Sequence, residues 1–349
     1  MMKDKIVINA RFLTQALTGV QRYGIELSLR LKKRLGERVK FVAPHNILHK
    51  DIAEELNVKI IGKCTGYVWE QFELPIYLKK NGNPLLINFA NMAPVCYSNK
   101  ITILHDVTYL EYSSLSLIMK TVYKLLIPPI LRSSKKIITV SQFSKEEIMG
   151  HYKIKADKIF VVHSGPDSIF TQIKSTEFER EQYVLGFANM RPNKNIDMIF
   201  NAFIKAKETL DGLKLYIMGD APEALKGRYK KHSDIIFVGR ISDAELCSYY
   251  NNALAFIYPS YYEGFGLPPI EAQACGCPVI VSNCATFPEI IGDSGICLFP
   301  DDVQAFSDAI IKLSQDKEYR NSYIKKGFEN AKRFEWDKNT ETLLSVIKK

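Results

Sequence analysis

Short runs of apolar, largely β-branched residues alternate with longer amphipathic stretches along the whole sequence. Runs of this kind suit strands buried on both faces of a parallel sheet, and the stretches between them suit crossover helices. The pattern therefore predicts an α/β fold built on parallel sheets. The predicted strands are Ile6–Asn9, Val39–Val42, Leu85–Asn88, Ile101–Leu104, Lys136–Val140, Ile159–Val162, Tyr183–Phe187, Leu213–Met218, Ile235–Val238, Leu254–Tyr258 and Val279–Ser282.

The predicted strands form two sets, and 349 residues suffice for two ordinary domains. We therefore expect two doubly wound, Rossmann-like domains. The segment His163–Ser175 contains Gly165, Pro166 and polar residues, so the boundary is expected there. We assign residues 1–165 to an N-terminal domain and 166–349 to a C-terminal domain.

Turn-forming residues are concentrated after the predicted strand Leu254–Tyr258. Gly264 and Gly266 free the backbone for tight turns, and the following Pro268 and Pro269 fit the first turn of a helix. A glycine loop that leads into a helix start presents backbone N–H groups and the positive end of the helix dipole. This stretch therefore predicts an anion-binding site.

Two glutamates, Glu263 and Glu271, flank the loop in an E-x7-E spacing. Carboxylates would repel a bound phosphate, but they can accept hydrogen bonds from ligand hydroxyl groups. A ligand with both phosphate and hydroxyl groups describes a sugar nucleotide. The alternative interpretation is a solvated pair of surface glutamates beside an ordinary turn.

The segment EGFGLPPIEAQACGCPVI resembles the donor-binding segment of the family 4 retaining glycosyltransferases, which have the GT-B fold. The likeness continues into ATFPEIIGDSGICLFPDD, where that family has a second donor-side loop and a strand. The resemblance implies two Rossmann-like domains facing a central cleft, with a final helix that crosses back to the N-domain. It also implies which residues bind the donor: the amides of Gly264, Phe265, Gly266 and Leu267 the diphosphate, Glu271 the ribose and Glu263 the sugar.

The turn in ANMRPNKNID carries two cations near a second helix start, Arg191 and Lys194. In the family that this chain resembles, a lysine at the position of Lys194 grips the phosphates. Many members place an arginine where this chain has Asn189, so Arg191 is a substitute three residues before the lysine. The alternative is a pair of exposed cations at a helix start.

Two further strand ends complete the expected donor site. Gly219 ends one predicted strand, and Gly239, Arg240 and Ile241 follow the next. The backbone at Arg240 and Ile241 resembles the base-binding turn of the family. Main-chain hydrogen bonds there would leave the identity of the base undetermined.

The first half of the sequence also contains candidate ligand-binding residues. Gly19 lies at a strand-to-helix turn that in similar glycosyltransferases faces the diphosphate and the acceptor, although plain turn chemistry is equally consistent. Arg11 and Arg22 flank this turn and could meet an anionic acceptor. His105 follows a predicted strand at its carboxyl end, where open α/β sheets bind ligands. Its position resembles that of the family's N-domain histidine, which lies against the donor sugar.

The sequence predicts two further helices in the first half. The stretch Leu115–Leu131 is apolar with interspersed lysines, and two prolines, Pro128 and Pro129, are expected to break it. It predicts either an interfacial helix on anionic lipid or a core-facing helix. Ser144 is expected to cap the next helix.

The distribution of charge suggests which partners the protein binds, and the cysteines suggest its cellular compartment. Residues 1–165 contain 25 Lys and Arg against 13 Asp and Glu, whereas the remainder is slightly acidic. The basic half suggests an anionic partner such as a membrane surface, or only solubility, and no module for binding nucleic acid is evident. The seven cysteines are scattered, and no secretory signal or run of 18 apolar residues is present, so a cytoplasmic protein is expected. Peripheral contact with the inner face of the membrane is left open.

Together these features predict a retaining glycosyltransferase that moves a hexose from a nucleotide sugar to a glycan or lipid-linked acceptor. UDP-glucose is the favoured donor and GDP-mannose the next. His105, Lys194, Glu263 and Arg191 are the expected catalytic residues. Because no carboxylate pair is placed to hold Mg²⁺, we expect no metal or other cofactor. The alternatives are a sugar-nucleotide epimerase, a phosphorylase or a non-catalytic nucleotide-sugar-binding protein.

Overall fold

The structure is a computed structural model that describes residues 5–112, 116–173 and 182–348. Its contacts divide the chain into two units. The first unit comprises Met1–Ser164 with Trp336–Lys349, and the second comprises Gly165–Glu335. Leu115, the expected start of an apolar helix, and residues 174–175 of the expected boundary lie outside the described residues.

The first unit is built on a seven-stranded parallel sheet with the strand order β3-β2-β1-β4-β5-β6-β7. Its strands are β1 (Ile6–Asn9), β2 (Val39–Ala43), β3 (Lys59–Ile60), β4 (Leu85–Asn88), β5 (Lys100–Ile103), β6 (Lys136–Thr139) and β7 (Ile159–Val161). Its helices up to the end of this sheet are α1 (Gly19–Leu35), α2 (Lys50–Glu55), α3 (Gly66–Val68), α4 (Leu74–Lys80), α5 (Thr108–Glu111), α6 (Leu117–Ser133) and α7 (Gln142–Tyr152).

The second unit repeats the plan with a six-stranded parallel sheet of order β10-β9-β8-β11-β12-β13. Its strands are β8 (Tyr183–Phe187), β9 (Lys214–Met218), β10 (Ile235–Gly239), β11 (Ala255–Tyr258), β12 (Val279–Ser282) and β13 (Ile296–Leu298). Its helices are α8 (Ile196–Lys207), α9 (Glu223–Arg228), α10 (Asp243–Asn252), α11 (Leu267–Ala274), α12 (Phe287–Ile290), α13 (Val303–Gln315) and α14 (Lys317–Ala331).

Each sheet has one place where the strand order reverses, between β1 and β4 and between β8 and β11. Because crossovers between parallel strands are right-handed, the reversal puts helices on both faces of the sheet. The loops that leave two neighbouring strands there diverge and open a crevice at their carboxyl ends. The doubly wound architecture predicted from the alternating pattern is therefore confirmed, and each sheet contains one such switch point.

The last helix, α15 (Trp336–Lys348), belongs to the first unit. Its buried Trp336 lies edge-on to the ring of Tyr23 with 5.8 Å between centroids. Asn339 Nδ2 donates to the carbonyl of Ser164 over 3.1 Å, and Asp337 lies 2.9 Å from Arg34 on α1. The second chain segment of the first unit is thus attached by both apolar and polar contacts.

Helix α6 differs from the sequence-based prediction because it continues through Pro128 and Pro129. These prolines remove the donors that would bond the carbonyls of Lys124 and Leu125, and both of those residues are exposed, so solvent can replace the lost bonds. Ile127, Ile130 and Leu131 in its last turns are buried, whereas Ile118 near its start is 76% exposed. Among the described residues, no helix is long and apolar enough to cross a membrane.

Two smaller features also differ from the predictions. Strand β3 was missed because it has only two residues, both exposed, and so lacks an apolar run. The cap of α7 is Ser141, whose side chain accepts from the backbone N–H of Ser144 at 3.0 Å. Ser144 was the predicted cap, and it lies inside the first turn instead.

The contacts of α15 lead to a stability prediction. Leu343 is fully buried, so Leu343→Ala should lower the free energy of unfolding by about 2–5 kcal/mol. Urea denaturation measures this loss, and hydrogen exchange should quicken in β1 and α1. The exposed Ser345→Ala on the same helix is the control and should change stability by less than about 0.5 kcal/mol. Faster exchange confined to β8–β13 would contradict this packing.

Candidate nucleotide-sugar site

The switch point of the second sheet brings two loops together. The loop after β8 contains the short 3₁₀ turn Pro192–Lys194, and the loop after β11 contains Glu263 and leads into α11. Because β8 and β11 are neighbours in the sheet, residues far apart in sequence meet at this edge. Lys194 and Glu263 are therefore adjacent although 69 residues separate them.

Lys194 and Glu263 form an ion pair, with 2.5 Å between Nζ and Oε1, and each side chain is only 13% exposed. The Tyr258 hydroxyl lies 3.0 Å from the same Nζ atom. Burial alone would lower the pKa of Lys194, but the carboxylate of Glu263 and the contact with Tyr258 raise it above the ordinary lysine value. Lys194 therefore stays charged at any physiological pH.

Asn193 fastens the two loops to each other, and nothing in the sequence analysis identified it. Its Nδ2 donates to the carbonyl of Tyr262 over 2.9 Å, and its own carbonyl accepts from the backbone N–H of Tyr261 over 2.8 Å. Asn195, which has a left-handed φ of 49°, donates to the carbonyl of Pro300 over 2.7 Å. These bonds fix the position of Lys194 against the loop that carries Glu263.

The glycine loop ends at the amino end of α11, as predicted. Gly266 is the N-cap residue, with a φ of +84° that favours glycine, and a proline occupies the first turn. A Cβ on Gly266 would lie 2.6 Å from the ring of Phe287. Gly264, Phe265 and Gly266 are buried, and Leu267 begins the helix.

Glu271 lies on α11, one turn beyond Leu267, and is only 7% exposed. Residues four apart on a helix share a face, so Glu271 is on the side of the helix from which the glycine loop enters. Tyr250 is close enough to feel its charge: burial, and then the Glu271 carboxylate, raise the pKa of Tyr250 well above its usual value. A carboxylate this deeply buried is unlike the solvated surface glutamate of the alternative interpretation.

The other expected donor-site residues lie at different positions in the second unit. Arg191 is exposed at the start of the Pro192–Lys194 turn. Gly219 has a φ of +93°, and its N–H donates to the carbonyl of Gly239 over 2.8 Å. The side chain of Arg240 is 85% exposed and pairs with Asp220 over 2.6 Å, while Ile241 is half-buried.

His105 belongs to the first unit, just beyond β5, and is 7% exposed. Its Nε2 lies 2.9 Å from the carbonyl of Phe89, which can only accept, so Nε2 carries the proton. Burial lowers the pKa of His105, although the Phe89 carbonyl and Asp106 act in the opposite direction. The imidazole is therefore neutral at pH 7, and its Nδ1 atom can accept a hydrogen bond.

A cavity of about 330 Å³ opens at the switch point of the first sheet. Arg11 and Tyr67 line it, and the other lining residues are Gln15, Ala16, Thr18, Val20, Gln21, Ala90, Asn91, Met92 and Tyr123. The Arg11 guanidinium pairs with Glu70 over 3.1 Å, and both side chains are buried. We expected Arg11 to meet an anionic acceptor, but its charge is already balanced by Glu70. Gly19 is exposed at the first residue of α1, and Arg22 is half-buried nearby in sequence.

One group of side chains in the described residues has the spacing to hold a metal ion: Glu111, Glu147 and His151. These residues lie on α5 and α7 of the first unit. None of them is one of the expected donor-site residues.

Comparison with known proteins finds relatives among the glycosyltransferases. Residues 168–330 match the family model described as glycosyl transferases group 1, in keeping with the resemblance drawn from the sequence. The O-antigen chain mannosyltransferase B of Escherichia coli is 32% identical over 234 residues, which are 62% of this chain and 61% of that protein. The O-antigen chain mannosyltransferase RfbU of Salmonella typhimurium is 26% identical over 94% of this chain and 97% of its own length.

A solved structure shares the fold of the whole chain. HepE from Anabaena, crystallised with UDP and glucose, superimposes with a TM-score of 0.75 and covers 99% of each chain at 16% sequence identity. At this identity the likeness establishes the fold alone. The expected GT-B fold is therefore confirmed.

Gly266 gives the first prediction for this site. Gly266→Ala should cost about 1–2 kcal/mol from the left-handed backbone alone, and the new Cβ would push on Phe287. We expect at least a tenfold weaker binding of the nucleotide sugar, measured by calorimetry. Gly212→Ala is the matched control, since Gly212 has a φ of +75° but open space around it. Equal binding by both variants would contradict the role of the loop.

The ion pair gives a prediction about pH. In wild type the raised pKa of Lys194 keeps its stabilising charge at every pH below the ordinary lysine value of 10.5. In Glu263→Gln, burial acts against a cation without its partner, so the pKa of Lys194 falls. The variant should lose about 3 kcal/mol at pH 7, and less as the pH rises towards 10, because Lys194 can then release its proton.

Urea denaturation of wild type and Glu263→Gln at pH 7, 8, 9 and 10 measures this difference. Glu318→Gln, at an exposed position on α14, is the control and should behave like wild type at each pH. A deficit in Glu263→Gln that stays constant or grows with pH would refute the coupling between Glu263 and Lys194.

Proposed function

We propose that this chain, a glycosyltransferase whose residues 168–330 match the group 1 family model, transfers a hexose from a nucleoside diphosphate sugar to a hydroxyl group of a glycan or lipid-linked acceptor. The process it serves is the synthesis of a bacterial-type polysaccharide or glycolipid. The observation that carries the proposal is the buried Lys194–Glu263 pair beside the amino end of α11. A fixed cation, backbone donors and a carboxylate at one switch point suit a diphosphate with a sugar attached to it.

Lys194 and the amides of Phe265, Gly266 and Leu267 have the task of stabilising the leaving group. When the bond between the sugar C1 and the diphosphate oxygen breaks, its electron pair stays on the diphosphate. Positive groups that already point at this site lower the barrier without having to reorganise. Arg191, which is exposed, can turn towards the same diphosphate.

The two glutamates have separate tasks in this proposal. Once the diphosphate engages Lys194, the Glu263 carboxylate can accept hydrogen bonds from the sugar hydroxyl groups and so orient C1. Glu271 accepts from the ribose hydroxyl groups. His105, as a neutral imidazole, can contribute a hydrogen-bond acceptor at Nδ1 but no positive charge.

The acceptor oxygen attacks C1 on the face that the diphosphate leaves, and its proton passes to a diphosphate oxygen. This order of events retains the anomeric configuration, as the resemblance to family 4 implies. Metal independence remains a prediction, because Lys194 and the loop amides offer positive charge where other transferases use Mg²⁺. Activity that persists in EDTA would support it.

The cavity of the first unit supports a neutral sugar as the acceptor group. Its lining combines amides and hydroxyl groups with the rings of Tyr67 and Tyr123, which suits a sugar with both polar and apolar faces. Arg11 lines the cavity, but Glu70 balances its charge, so the lining offers no net attraction to an acidic group. The exposed half of α6, with Ile118, Lys120 and Lys124, supports peripheral contact with anionic lipid.

For the donor, we propose GDP-mannose ahead of UDP-glucose, which the sequence alone favoured. Two relatives at 32% and 26% identity are named mannosyltransferases, and this supports a mannosyl donor. A thermal-shift panel of sugar nucleotides separates the candidates, because a ligand that binds only the folded state raises Tm. We expect GDP-mannose to give the largest shift.

The transfer reaction itself tests the site. Lys194→Ala should lower kcat by at least about 100-fold and reduce the rise in Tm caused by the donor. Its Tm without ligand should fall below that of wild type, because the buried Glu263 loses its partner. Lys231→Ala, at an exposed position, is the control and should remain fully active. Near wild-type kcat in Lys194→Ala would overturn the site assignment. A panel in which no sugar nucleotide raises Tm or is consumed would overturn the function.

A further inference from the structure

The amino-terminal edge of the first sheet holds a second cavity, with a volume of about 600 Å³. It lies among the starts of β1, β4, β5 and β6, and the end of α15 closes one side. The sheet's carboxyl edge holds the 330 Å³ cavity described above. The two cavities therefore lie at opposite ends of the strands.

Four lysines line this cavity: Lys5, Lys135, Lys136 and Lys348. The described residues that line it include no aspartate or glutamate. Lys5, Lys135 and Lys348 are exposed, and in the described part of the chain none of the three forms an ion pair. We call this space the lysine cavity. Among the described lining residues, no carboxylate therefore offsets the positive charge.

Lys136 has a different role from the other three. Its Nζ donates to the carbonyl of Val346 over 2.6 Å, near the carboxyl end of α15. The carbonyls at a helix end carry partial negative charge, which would repel an anion. The ammonium group of Lys136 offsets that partial negative charge, so the end of α15 should not repel an anionic ligand.

Positive charge continues into the protein beside the cavity. Lys100, between the lining residues Asn99 and Ile101, is fully buried, and its Nζ donates to the Tyr97 carbonyl over 2.7 Å and to Ser133 Oγ over 2.6 Å. Burial, and then the charge of Lys158, lower the pKa of Lys100 to about 8. A fifth lysine is therefore held inside the protein directly beside the cavity lining.

Neutral hydrogen-bond donors complete the lining. Asn81 and Asn99 each use one amide hydrogen within the protein: Asn81 donates to the Tyr77 carbonyl over 2.7 Å, and Asn99 donates to the Asn83 carbonyl over 2.8 Å. The second hydrogen of each amide remains for a ligand. Gly82, with a φ of +84°, turns the chain directly after Asn81.

We propose that the lysine cavity binds a phosphate-bearing ligand. Its volume lies in the range of small-molecule sites, and several lysines around one space suit a group with more than one negative charge. Either a free phosphorylated compound or the head group of an anionic lipid presents this chemistry. The site is separate from the donor site and does not depend on the proposed transfer reaction.

Calorimetry with inorganic pyrophosphate at low salt tests the proposal. The full chain carrying Lys194→Ala serves as the parent, so that binding at the donor site is suppressed. In this parent, Lys5→Gln with Lys135→Gln and Lys348→Gln should weaken pyrophosphate binding at least tenfold. The matched control, Lys230→Gln with Lys231→Gln and Lys325→Gln, removes the same charge from exposed positions in the second unit and should bind as the parent does.

Sedimentation with vesicles of phosphatidylglycerol and phosphatidylcholine forms the second arm. Loss of pyrophosphate binding in the lysine-cavity variant alone supports a free phosphorylated ligand. If pyrophosphate does not bind, but the vesicles bind and only that variant loses them, the ligand is a lipid head group. Equal binding of all three proteins to both probes overturns the proposal, and so does an equal loss in the control. Circular dichroism confirms that each variant is folded.

Discussion

The ion pair between Lys194 and Glu263 is the interaction on which the second unit's site depends. Two opposite charges 2.5 Å apart, each side chain 13% exposed, cannot be separated without leaving a poorly solvated charge behind. The pair therefore holds the β8 and β11 loops together before any ligand arrives. It also keeps Lys194 protonated, so the cation that would meet a diphosphate is already in place and already charged.

Each unit contains a buried ion pair, and the two pairs have different consequences. In the first unit Arg11 follows β1, whereas Glu70 lies in the helical turn Trp69–Glu73 that precedes α4, and Glu70 accepts a further bond of 2.6 Å from Asn9. That pair is more deeply buried and is held by neighbouring amides, so it balances its own charge and leaves a neutral cavity. Lys194 and Glu263 are partly accessible, so a ligand can compete for them. The two pairs thus differ in how accessible they are to a ligand rather than in net charge.

Much of the fold could be predicted because strands buried on both faces of a parallel sheet have continuous runs of apolar residues. The runs indicated most strands, and Gly266 with the prolines after it indicated where α11 begins. The apolar pattern did not predict an element that is very short and exposed. The helix-breaking tendency of proline did not hold where solvent replaces the lost hydrogen bonds. Strand β3 is too short and exposed to show a pattern. Pro128 did not end α6 because the carbonyls left without partners face solvent.

The residues of the candidate site could be predicted only in part, for a different reason. Lys194 and Glu263 were singled out through their motifs, but their contact depends on the order of the strands, which no local pattern encodes. The sequence does not predict a role for Tyr258 or Asn193, because a tyrosine in a strand and an asparagine in a turn are both common. Their importance comes from what they touch across the switch point.

The most direct test of this account is a crystal structure of the chain with a nucleoside diphosphate. The account predicts a phosphate oxygen within hydrogen-bonding distance of Lys194 Nζ and of the amides at the start of α11, with the ribose against Glu271. A nucleotide bound elsewhere, with the glycine loop unoccupied and the Lys194–Glu263 pair undisturbed, would contradict it.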